Sequence, residues 1–122
     1  MRLSDLREAD IHTIYKRAYD VIKKFGYSPY MAFDPYEGTT DIFGALILAC
    51  GGSRKLLANG CDNADSCDVP TINSVRLDVS IDYLEAFVDQ DITEWSLTHT
   101  REDALQLLLN ASDRIQIAME TI

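Results

Sequence analysis

The stretch Asp41-Ile42-Phe43-Gly44-Ala45-Leu46-Ile47-Leu48-Ala49-Cys50-Gly51-Gly52 decides the fold of this chain. Its residues from 42 to 50 are apolar on nearly every side, the signature of an element buried all round. A buried strand would read similarly over so short a run. The Thr40-Asp41 entry and the Gly51-Gly52 exit favour a helix instead, because they match a capped start and a glycine stop. Gly44 lowers helix propensity by about 1 kcal/mol relative to alanine. Its presence predicts close approach of another backbone at that point. A wholly buried central helix needs other helices around it.

Upstream, residues 4–25 supply one. Ile11, Ile14, Tyr15, Ala18, Ile22 and Phe25 recur at three- and four-residue steps, with Lys16, Arg17, Asp20, Lys23 and Lys24 opposite. Lys23 and Lys24 suit the negative end of the helix dipole, and Gly26 follows as a stop. Residues 26–40 hold Ser28-Pro29, Asp34-Pro35 and Glu37-Gly38, so they read as a loop. That loop is rich in aromatics: Tyr27, Tyr30, Phe33 and Tyr36. They are expected either to cover the core or to face a ligand or partner.

Downstream, residues 54–59 suggest a short helical turn closed by Asn59-Gly60, and residues 61–74 a polar second loop. Leu77, Ile81, Leu84 and Val88 then form a helical stripe beginning somewhere between Asn73 and Ser80. Asp78, Asp82, Glu85 and Asp89 stud the same segment. Residues 92–99 read as irregular and anchored by Trp95. Thr100-Arg101-Glu102-Asp103 resembles a capped start, and Leu105, Leu108, Ser112, Ile115 and Met119 continue it as a closing helix. The expected fold is all-α: one compact domain over residues 1–122, a bundle of about four helices with two long loops.

The 122 residues carry a formal net charge of −9. Residues 1–37 balance, whereas residues 61–103 hold eleven acids against Arg76 and Arg101. Acidity is therefore a located property. It disfavours direct nucleic-acid binding and anionic membranes and attracts basic partners. The N-terminal residues lack the apolar run of a secretory signal, and the longest apolar stretch is too short to span a membrane. The expectation is a soluble cytoplasmic protein, with Cys50, Cys61 and Cys67 as free thiols.

No motif names a chemistry. Asp62, Asn63, Asp65 and Asp68 fall in a polar loop, but an EF-hand count from Asp62 puts Ala64 third, Cys67 sixth and Asn73 twelfth. Cys61 and Cys67 lack zinc-pair spacing. His12 and His99 are the sole histidines, His12 falling at the boundary of the first stripe. No G-x-S-x-G, P-loop or dinucleotide fingerprint occurs. No cofactor and no metal are expected. The leading expectation is a non-catalytic binding or regulatory protein that engages a basic protein through its acidic 61–103 surface, using Asp78, Asp82, Glu85, Asp89 and Trp95. The alternative is a small-molecule or enzymatic site under the 27–36 loop, formed by Tyr27, Tyr30, Phe33, Tyr36 and His99. A homodimer joined through that loop is a third arrangement.

Three features together, Phe43-Gly44-Ala45-Leu46 with Ala49, Ile92-Thr93-Glu94-Trp95, and Thr100 leading into Ala104-Leu105-Leu108, resemble a family of small proteins of unknown function from actinobacteria and their phages. The resemblance covers residues 8–118 and implies a helical fold without an activity. The family often has Cys before Gly-Ala-Leu, where this chain has Asp41. It often follows Trp with Asn-Asp, where this chain has Ser96-Leu97.

Overall fold

The structure is a computed structural model that describes residues 8–61 and 65–120. Its central helix is the one announced by the apolar stretch, Ile42–Ala49, and an amphipathic helix, Glu8–Phe25, precedes it. In chain order these are α1 (Glu8–Phe25) and α2 (Ile42–Ala49). They are followed by α3 (Arg54–Ala58), α4 (Thr71–Val88), α5 (Ile92–Leu97) and α6 (Arg101–Glu120). The all-α class is confirmed, but six helices stand among the described residues where about four were expected. The added ones are short. One is the helical turn anticipated at 54–59, and the other, α5, replaces a segment expected to be irregular.

The core forms where α1 packs along α6 and across α2, with α4 closing the remaining side. Ile11, Ile14, Tyr15, Ala18 and Ile22 of α1 are buried, as their spacing predicts. From α6, Ala104, Leu107, Leu108, Ala111 and Ile115 meet them, and Leu77 and Leu84 come from α4. Burial of such side chains, at roughly 25 cal/mol per Å² of apolar surface, drives assembly. Polar ties then fix the register. The Tyr15 hydroxyl donates to the Ser80 carbonyl at 2.8 Å. His12 Nδ1 lies 2.7 Å from the Ser112 hydroxyl, tying α1 to α6.

Asp41 caps α2, its carboxylate accepting from the Gly44 amide at 2.8 Å. Gly44 is required by the approach its presence predicted. A methyl group there would overlap the Ala32 carbonyl of the 26–40 loop. Gly51, at φ +92°, turns the chain out of α2 in the left-handed region that favours glycine. The 26–40 loop is ordered by its own backbone bonds. Ser28 N–H donates to Thr40 O at 2.9 Å and Asp34 N–H to Thr39 O at 2.8 Å. Its Asp34-Pro35 step is held by the Asp34 side chain, which accepts from the Tyr36 amide at 2.8 Å.

The second loop departs from expectation in two ways. Cys61 and Cys67 are joined in a disulfide rather than free, and only Cys50 is a free thiol, buried. The α3 helix and the turn at Gly60 carry Cys61 back toward 67, leaving their Cα atoms 5.3 Å apart, within disulfide reach. The Ser53 amide, donating to Cys67 O at 2.8 Å, secures the same contact. Helix α4 also begins at Thr71, earlier than the 73–80 window. Pro70 sits at its N-cap without a side-chain cap, and the Asn73 amide donates back to Pro70 O at 2.8 Å. Asn73 further donates from its side chain to Cys50 O at 2.9 Å, anchoring the new turn to the end of α2. Asp62 and Asn63 of the calcium-like loop lie outside the described residues, as does residue 4, where the first helix was expected to begin, and the side chain of Met119.

Candidate functional site

The acidic residues of α4 fall at four- and three-residue steps, so Asp78, Asp82 and Glu85 line up along one side of the helix, and Asp89 follows as its left-handed C-cap. Asp78, Asp82 and Asp89 are exposed. Among the described residues none of these three has a cationic partner. Glu85 differs. It is half-buried, and its carboxylate accepts from the Ile92 amide at 2.9 Å. With Asp91, which accepts from Thr93 and Glu94 amides at 2.9 and 3.1 Å, it satisfies the N-terminus of α5. Glu85 therefore holds an element in place, and a partner has access to less of it.

Trp95 is only 8% exposed. Its ring stacks on His99 with centroids 3.8 Å apart and planes 8° apart. His99 Nδ1 lies 2.7 Å from the Trp95 carbonyl. The pair buttresses the turn between α5 and α6, so Trp95 presents little surface to a partner. The capping at Thr100 is as expected. Asp103 N–H donates to Thr100 Oγ1 at 3.2 Å, and Thr100 N–H donates back to the Asp103 carboxylate at 3.1 Å.

The aromatic loop divides into two pairs. Tyr27 and Phe33 face inward, and the Tyr27 hydroxyl donates to Ser96 O at 2.8 Å. Burial raises the Tyr27 pKa, outweighing the lowering effect of the Ser96 side chain. Tyr30 and Tyr36 are 79% and 96% exposed. A solvent-open depression of about 370 Å³ lies beside the loop, with Tyr30, Met31, Phe43, Asp41, Cys61 and Thr93 in its walls. His99 lines a different one, with Trp95, Asp103 and Asn110. The structure thus separates His99 from the loop site and brings in Asp41, which the sequence showed only as a helix entry. Burial raises the Asp41 carboxyl from 3.8 to about 6, against the pull of the backbone amides it accepts from.

Two further groups with chemical potential are occupied structurally. The Ser112 hydroxyl, beside His12, is buried and lines none of these depressions. Burial also pushes the Cys50 thiol up to about 12, the wrong direction for a nucleophile. Among the described residues no three His, Cys, Asp or Glu side chains gather as a metal site. No helix among them is long and apolar enough to cross a membrane. The chain matches no family model, no curated protein and no solved structure.

Proposed function

We propose that this protein is a non-catalytic binding or regulatory module that engages a basic protein through the acidic side of α4 and its flanks. The observation that carries this reading is the exposed row of Asp78, Asp82 and Asp89, which has no cationic partner among the described residues. Carboxylates so placed steer a basic surface toward them and lose that attraction as salt screens it. Kinship with the small actinobacterial and phage proteins belongs to the same proposal. So does cytoplasmic residence, where the Cys61–Cys67 bond would face reducing thiols.

The test is association with poly-lysine across a salt series. The wild-type protein is expected to bind tightly at low salt and weakly near 0.5 M. The variant D78N/D82N/D89N is expected to bind at least tenfold more weakly at low salt, with a flattened salt dependence. Unchanged binding by that variant would reject the reading.

A second reading has a specific observation in its favour. The depression containing Asp41 places a buried carboxyl beside aromatic walls, an arrangement suited to a small amine. Asp41→Asn keeps the cap and removes the charge, so it separates this reading from the first.

A further inference from the structure

Helix α4 has apolar residues on two sides, and the core accounts for only one. Leu77 and Leu84 point inward. Val75, Val79, Ala86 and Phe87 lie along another side, beside Tyr83, which packs partly against the core. Val75 is 60% exposed and Val79 44% exposed; Ala86 and Phe87 are also exposed. β-Branched residues gain nothing from helix propensity at solvent positions, and packing among the described residues does not explain them. The strip ends in a depression of about 330 Å³ lined by Tyr83, Ala86, Phe87 and Arg114. There the Arg114 guanidinium lies 5.3 Å from the Phe87 ring centre.

Charge identifies the occupant. The aspartate row at 78, 82 and 89 borders the strip along one edge, and Arg114 marks its far end. A second copy laid antiparallel across the strip would bring two aspartate rows together, which like-charge repulsion opposes. A partner helix with an apolar stripe and lysine or arginine along one flank meets the strip and the aspartate row at once. We infer that Val75, Val79, Ala86 and Phe87 form the docking strip for a basic amphipathic helix. Its apolar stripe packs on this side of α4, and its cations face Asp78, Asp82 and Asp89. One large apolar side chain of the partner enters the depression beside Phe87. This inference rests on the proposed acidic-surface function and adds the form of the partner.

Two dye-labelled peptides of identical leucine–lysine composition test it by fluorescence anisotropy. One places its leucines on a single helical face; the other scatters them. The expected result is at least tenfold tighter binding of the amphipathic peptide to the wild-type protein. V75S/V79S is expected to abolish that preference, while circular dichroism shows its helix content unchanged. Equal affinity of the wild type for both peptides overturns the docking strip, as does a preference that survives V75S/V79S. If salt-sensitive binding of both peptides persists in those cases, the acidic-surface reading stands without the strip. If D78N/D82N/D89N binds both peptides as well as wild type, the acidic reading fails and takes this inference with it. A wild-type dimer in sedimentation that V75S/V79S dissolves also overturns it, because the occupant is then a second copy.

Discussion

Asp41 does two things whose energetic signs oppose each other. As a cap it satisfies the start of α2, and as a buried carboxyl it resists ionisation. Its folded pKa of about 6 lies above the ordinary 3.8, so between those values the native state binds the proton more tightly than the unfolded chain does. The stabilisation is complete below the lower value and is lost as pH rises through the upper one. The group alone should withdraw on the order of 2–3 kcal/mol across that window. Urea unfolding at pH 4 and pH 7 checks it: the stability of wild type relative to Asp41→Asn is expected to fall by that amount. A difference independent of pH would contradict the assignment. The same variant should lose any amine bound in the adjacent depression. From sequence, Asp41 was legible as the entry to a helix. Its burial was not, because that depends on where the 26–40 loop closes, and Gly44 announced only that some backbone would approach.

Among the elements, α1, α2 and α6 were legible because each shows either a full apolar stripe or a wholly apolar body between clear stops. The short α5 was not. Six residues hold under two helical turns, and its N-terminus is satisfied partly by Glu85 from another helix. The early start of α4 was hidden because three of residues 71–74 are polar and the four follow a proline, composition that reads as loop. Asn73 makes them helical by reaching the end of α2. The capping of α6 gives an element-level prediction. Thr100→Ala removes one partner of the reciprocal Thr100–Asp103 pair and should cost about 1 kcal/mol, read as a lower urea midpoint with an unchanged slope. Thr100→Ser should retain most of the stability.

For the molecule as a whole, an all-helical assembly followed from the periods of its segments, and the acidic segment from a count of charges. What the count could not do was distribute the carboxylates among tasks. Glu85 and Asp91 are spent on capping α5, Asp41 on capping α2, and Asp78, Asp82 and Asp89 remain turned to solvent. The cysteines misled for a related reason. An odd number argues against pairing in general, but a turn that folds one cysteine back on another overrides the argument locally. The bond closes a short loop, and the chain-entropy model credits such a closure with about 2 kcal/mol. Treatment with a strong reductant, or Cys61→Ser, should lower the unfolding free energy by about that much. The stacked Trp95–His99 pair, finally, makes the folded state optically addressable. The chain's only tryptophan is buried at the junction of α5 and α6 against an imidazole. Its emission will therefore report opening of that corner, and one fluorometer can follow whether it parts before the bundle does.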